Sequence, residues 1–407
     1  MNFLFAWRYF RAKKSTNAIN IIAWVSMSAI VVGAASLILV LSVFNGFEDL
    51  VKSLYTSFYP DIKVSPIAGK TLTLTADQIQ QLKGVGGVGA VSLVAEDKGI
   101  LENNGSWLPA YIKGVDDQFL KVTGVGKTLE RGTFVTGNGD HPQAILGSGI
   151  ANTLGVEAEK ELLPLGVYLF RRGSTDYSAD PMASMNHEPL MTSGMFRIQQ
   201  DFDEHYVITN IDFVKRMVGL GPNEYSGAEL SVTDPKQVLA VKEAIVRLLG
   251  KGYKVQTRYE QNQSLYNVMG TEKWVIYIVL SLILIVAAFN MVGALTMLVW
   301  EKQKDIHVLK ALGANDARIQ RIFLSEGILL ALMGGIGGIA LAAIVCLLQS
   351  KYHLIPLQGG SFLIDYYPVK LVATDFALVL STIGVIALLA SWLPARKAAN
   401  QPIALKT

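Results

Sequence analysis

Four stretches of this 407-residue chain are apolar and almost free of charge, and a long stretch between the first two alternates apolar with polar positions. The clearest is Val275–Trp300, twenty-six residues without a charge, preceded by Trp274 and closed by Trp300. As a helix it measures roughly 39 Å, enough to cross a bilayer with some tilt, and indole rings favour both membrane interfaces. Ile21–Val43 lies inside an earlier uncharged segment, 15–47, and Ile322–Leu348 and Phe376–Ala395 supply two further runs. The pattern therefore predicts an α-helical membrane protein with four transmembrane helices. A large α+β extracytoplasmic domain is expected between spans one and two. Gly334 and Gly338 in the third run have the spacing of a close helix–helix contact. Asn290 in the second run is expected to hydrogen-bond a neighbouring helix, and Glu326 to lie near an interface.

Between residues 59 and 258 the periodicity changes. Short β-rich runs such as DIKV (61–64), QAILG (143–147), GVYLF (166–170), HYVITN (205–210), AELSV (228–232) and YKVQT (253–257) alternate with short helical patterns. Asn103-Asn104-Gly105 predicts a hairpin turn. Asp234-Pro235 predicts a helix start, with Val238, Val241, Ile245 and Leu248 facing inward. The helical period continues past the first span through residues 49–58 and resumes over 259–273, so both connections read as stalks. The expected division is 1–18, an amphipathic helix on the cytoplasmic leaflet; 19–58, span one and stalk; 59–258, the domain; and 259–300, stalk and span two. It continues with 301–321, a cytoplasmic loop; 322–348, span three; 349–375, an outer loop; 376–395, span four; and 396–407, a tail.

Charge fixes the orientation. Segments 1–18, 301–321 and 396–407 hold twelve basic residues against three acidic ones, which marks them as cytoplasmic, with both termini inside. The domain between spans one and two is then on the far side, and its charges are nearly balanced, 22 basic against 27 acidic over residues 45–273. A net charge of +3 gives no reason to expect nucleic acid. The first apolar run is too long for a cleavable signal and no small-residue cleavage site follows it. The single cysteine, Cys346, lies in an apolar run, and the five histidines have no ligand spacing, so neither a disulfide framework nor a metal site is expected. No catalytic residue is expected. Gly124-Val125-Gly126-Lys127-Thr128 imitates a phosphate loop, but Lys121 stands where that motif needs glycine, so the segment reads as a surface turn.

The stretch Ile283–Ala314 changes character at Glu301. The span runs directly into an amphipathic segment holding Glu301, Lys302, Asp305, Ile306, Leu309, Lys310 and Leu312, and Gly313 sits where a helix ends. The AFN, EKxxDI and LKALGA of VAAFNMVGALTMLVWEKQKDIHVLKALGA, in that order, resemble the permeases of the lipoprotein-releasing (Lol) ABC transporters. These fall within a wider group that includes the FtsX and MacB types. LSVFNGFE (Leu41–Glu48) resembles the Lol permeases in particular.

The resemblance implies an inner-membrane permease, not itself an enzyme, that extracts lipid-anchored lipoproteins and passes them to a periplasmic carrier. It implies a cytoplasmic ABC ATPase dimer holding ATP and Mg²⁺, with no cofactor in this chain, and a second permease subunit, homologous or identical. Alternative functions in the wider group are a MacB-type exporter and an FtsX-type scaffold that activates a cell-wall hydrolase. Three surfaces follow as expectations. Glu301–Leu312 corresponds to a coupling helix, with Ile306, Leu309 and Leu312 either docked on the ATPase or packed on the chain's own spans. Segment 171–192, with Arg171, Arg172, Tyr177, Pro181, Met182 and Met185, is either a carrier-binding hook or a plain loop. A lipid-facing cavity would set Ile30, Leu37, Leu41 and Phe44 opposite Ile285, Phe289 and Val292, although helix packing explains these residues equally well.

Overall fold

A computed structural model describes residues 17–156, 164–172, 184–357 and 364–400. The amphipathic segment expected over 1–18 and most of the 396–407 tail lie outside the described residues. The described residues begin with α1 (Asn17–Phe58), whose apolar first half continues without a break into a polar second half. Pro60 follows directly and stops it.

The sheet domain comes next. It contains β1 (Ile62–Pro66), β2 (Leu72–Thr73), α2 (Ala76–Gly84), β3 (Val88–Asn103), β4 (Ser106–Val115), β5 (Leu129–Gly132), β6 (Gln143–Gly147) and α3 (Ser148–Leu154). Then follow β7 (Leu165–Phe170), β8 (Met185–Phe196), β9 (Tyr206–Asn210), α4 (Ile211–Val218), β10 (Glu224–Tyr225), β11 (Gly227–Val232), α5 (Val238–Leu249) and β12 (Tyr253–Thr257). Among the described residues ten strands form one mixed sheet, ordered β12-β1-β11-β3-β4-β9-β6-β8-β5, with β7 paired to β3 and β8.

The sixteen-residue β3 is the spine of this sheet. Its first half pairs with β11, while its second half pairs with both β4 and β7. Two apolar cores form along it. One gathers Ile62, Val64, Val91 and Leu230 under Leu82 of α2 and Val241 and Ile245 of α5. The other gathers Leu101, Ile112, Leu146 and Val207 with Ile150 of α3 and Phe213 and Val214 of α4. The hairpin turn is as expected, since Asn104 (φ 49°) and Gly105 (φ 81°) are both left-handed, the geometry a two-residue loop requires. In α5 the inward residue is Leu249, and Leu248 is exposed. Val241 and Ile245 face inward as expected, Val238 is half-buried, and only the last inward position differs. The glycine-rich Gly124–Thr128 includes a short 3₁₀ turn with Val125 fully buried, so it is partly core rather than only surface.

The remaining helices are α6 (Gln263–Glu301), α7 (Gln303–Ala311), α8 (Asp316–Tyr352) and α9 (Ala373–Ala399). Among the described residues α1, α6, α8 and α9 are each long and apolar enough to cross a membrane. They share a core of Leu37, Ile38 and Leu41 (α1), Leu284, Met291 and Leu295 (α6), Phe323 and Leu330 (α8), and Val379 and Ile383 (α9). The glycines of α8 make this packing close on two sides. A Cβ on Gly334 would lie 3.0 Å from Ile30 and one on Gly338 only 2.4 Å from the Val31 carbonyl, so the expected contact face meets α1. Gly335 and Gly327 instead face Ile383 and Ser391 of α9. At Asn290 it is the backbone carbonyl that takes the interhelix bond, from Ser26 Oγ at 3.0 Å, while the side chain is exposed. Glu326 is buried in the bundle.

Candidate functional site

Helix α7 follows α6 after a break of one residue, Lys302, whose non-helical ψ of 12° turns the chain. Its end is closed by paired backbone bonds, Ala314 N to Leu309 O (2.9 Å) and Gly313 N to Lys310 O (3.0 Å). Gly313 takes φ +88°, which a side chain would strain. Asn315 then caps α8 by accepting from Arg318 N, as the short connection requires.

The side chains of α7 divide sharply. Ile306 is 1% exposed and belongs to the bundle core, Leu309 is half-buried, and Val308 and Leu312 are 59% and 80% exposed. The expected docking face of Ile306, Leu309 and Leu312 is therefore corrected. Steps of three residues drift by about 60° on a helix, so these positions do not share one face. The presented ridge is Lys304, Val308, Ala311 and Leu312. Ile306 anchors the opposite side, as does Lys310, whose Nζ donates to the Ala399 carbonyl at the end of α9 (2.7 Å) and pairs with Asp316 (2.9 Å). Lys302 and Asp305 pair at 3.2 Å, and Glu301 is half-buried at the end of α6.

In the second candidate region the described residues form a hairpin, with β7 antiparallel to β8 and Phe170 opposite Met185. The loop expected over 171–192 is thus shorter, since Met185–Thr192 is strand and Leu190 is fully buried. Both arginines are tied within the domain. Arg171 Nη2 donates to Asn186 Oδ1 (2.9 Å), and Arg172 Nη1 is shared between the two Glu224 oxygens, 2.8 Å from each. The Gly221 amide and Arg172 hold the Glu224 carboxyl below its usual range. Tyr177, Pro181 and Met182 lie outside the described residues. Across the hairpin runs a row that sequence reasoning missed: Tyr168 of β7 stacks on His187 of β8 at 4.3 Å, and Trp107 of β4 meets Tyr168 across β3 at 5.1 Å with its ring tilted. Only the strand register brings them together, so no local motif announces them.

The cavity residues are not brought together. Ile30, Leu37 and Leu41 are buried inside the bundle, whereas Ile285 and Phe289 lie on the exposed side of α6, with Phe44 and Val292 half-buried. The buried face of α6 is Leu284, Ala288, Met291 and Leu295, which share the bundle core with Ile30. Adjacent residues along α6, 284 and 285 or 288 and 289, therefore separate into core and exterior. Among the described residues no cluster of metal-ligating side chains occurs.

Comparison with known proteins agrees with this architecture. Residues 23–248 match the MacB-like periplasmic core domain, and residues 277–403 match the FtsX-like permease C-terminal family. The chain is 27% identical over 419 residues to the lipoprotein-releasing system transmembrane protein LolE of Haemophilus influenzae, covering 98% of this chain and 97% of that one. It is 26% identical to the LolC protein of Neisseria meningitidis over 97% of this chain and 95% of that one. The macrolide export ATP-binding/permease protein MacB of Vibrio parahaemolyticus is 24% identical over 93% of this chain, but only 56% of that protein is covered.

Proposed function

We propose, from the premise that this chain belongs to the family of permeases joining a MacB-like periplasmic core domain to an FtsX-like C-terminal module, that it is the membrane subunit of an ATP-driven lipoprotein-releasing transporter. In this reading it sits in the bacterial inner membrane with both termini cytoplasmic and the sheet domain periplasmic. It extracts lipid-anchored lipoproteins and passes them to a periplasmic carrier. The observation that carries the reading is alignment with LolE and LolC over nearly the whole of both chains. In this reading ATP and Mg²⁺ are held by a partner ABC ATPase dimer. A second permease, homologous or identical, completes the complex.

The ridge of α7 is the surface through which ATPase closure enters this chain. Val308 and Leu312 dock in an apolar groove, and burying each contributes about 1.5–3 kcal/mol. Lys304 reaches the polar rim. Ile306 and Lys310 carry the displacement inward, because one is fixed in the bundle and the other to the end of α9. Reconstituted with its ATPase and partner permease, the Val308→Asp and Leu312→Asp variants should each lose roughly tenfold or more in cargo-stimulated ATP hydrolysis, as expected of interface anchors. Both should still insert and fold. Undiminished stimulation in both would overturn the docking assignment.

The carrier-binding assignment is confined to the hairpin and to residues 173–183. Deleting only those residues spares β8 and its buried Leu190. Carrier binding should then fall, and full retention would remove the hook from the proposal. The MacB-type exporter is the second reading, favoured by the 93% of this chain that aligns with MacB. Partners recovered with the tagged protein decide between the two, lipoproteins and a carrier for the first and an outer-membrane channel for the second.

A further inference from the structure

Of the motif LSVFNGFE, only Leu41 and Phe44 enter the surfaces described above. In the structure its central residues converge on one piece of chain, the segment 366–375 that leads into α9. Asn45 is 5% exposed; its Nδ2 donates to Asp375 Oδ2 at 2.6 Å, and its Oδ1 accepts from Lys273 Nζ at 2.8 Å. Lys273 also lies 3.4 Å from the other Asp375 oxygen, so one residue from each of α1, α6 and α9 closes a triad. A Cβ on Gly46 would stand 2.3 Å from the Pro368 carbonyl, so the two backbones touch only because this residue is glycine. Phe47 meets Tyr367 edge-on at 5.9 Å, the Lys370 amide donates to the Ser42 carbonyl, and the Lys370 ammonium pairs with Asp49 at 2.6 Å.

The opposite end of α9 is also held, since the Ala399 carbonyl accepts from Lys310 of α7. Helix α9 is about 40 Å long and bears the α7 contact at one end and the triad at the other. We propose that α9 is a strut carrying displacement of α7 to the outer ends of α1 and α6, and that Asn45, Lys273 and Asp375 are the positioning residues that keep this outer joint closed throughout transport. Ions enclosed near the apolar run are costly unless mutually paired, and removing one partner strands the other. The triad thereby fixes one alignment of three helices, which apolar contacts alone would permit to slide.

The proposal rests on the transporter reading above, and the test separates the two. In the reconstituted complex, Asp375→Ala should retain ATP hydrolysis while cargo released per ATP falls roughly five- to tenfold, an ordinary inter-site coupling, and Asp375→Glu should restore part of it. A short bismaleimide bridging Asp49→Cys and Lys370→Cys should leave release unchanged, because the joint does not open. Independently of cargo, spin labels at the exposed Val40 and Leu380 should keep one distance in the nucleotide-free and ATP-bound complexes. That distance should broaden when Asp375→Ala is added. Full release per ATP in a folded Asp375→Ala protein, loss of release on bridging, or a label distance that shifts with nucleotide in the otherwise native chain would each overturn the joint. If Asp375→Ala fails to assemble, the bridge and the labels decide. A native complex that releases no lipoprotein would count against the function and leave the label result standing.

Discussion

Asp203 shows how one side chain ties stability to acidity. It is 7% exposed, and burial pushes its carboxyl up to about 6, against the opposing pull of the Ile198 and Gln199 amides. An acid whose folded value exceeds its unfolded one binds its proton more tightly when folded, so its contribution favours the fold below about 4 and is lost as pH rises through 6. The thermal midpoint of the purified protein should therefore decline over that window, and Asp203→Asn should flatten the decline. Lys113 and Glu229 offer a second case. They pair at 2.7 Å with side chains 3% and 1% exposed, and the ammonium lies 5.0 and 5.1 Å from the Phe58 and Phe119 rings. Lys113→Met should cost about 3–5 kcal/mol in denaturant unfolding by stranding Glu229, and adding Glu229→Leu should recover most of it. Neither feature was legible in the sequence, since each depends on which strands become neighbours.

Helices were more legible, and their errors instructive. The Gly334/Gly338 spacing announced a close contact, but only packing shows that α1 fills it and that Gly335 serves α9. Gly338→Ala should lower the yield of folded protein in detergent, because its Cβ has 2.4 Å to the Val31 carbonyl. Gly337→Ala, with 3.5 Å to Val31, should be nearly neutral in the same assay. In α7 the mixture of charges and aliphatics was plain, yet the face was misread, because successive steps of three residues turn away from one another around the helix. The exposed positions of α6 could not be assigned from a run apolar on every side. Hydrophobicity locates such a helix without orienting it.

For the molecule as a whole, uncharged length and basic loops gave four spans and an intervening domain, because a bilayer leaves few alternatives. The strand order was not readable. Sequence neighbours β5 and β6 do not pair, and β4 with β9 and β6 with β8 run parallel across long connections. Orientation gives a test at this scale. A cysteine at Lys304 should react with an impermeant reagent only after permeabilisation, and one at Asn104 should react in intact spheroplasts. The reverse pattern would invalidate the transport reading.

The length of β3 reaches beyond architecture. Since a single strand supplies wall to both apolar cores, neither half can melt and leave the other whole, and pulling on either end strains a common rail. Calorimetry should see the domain collapse in one transition, and a split gene cut within residues 88–103 should yield two fragments that each fail to fold alone.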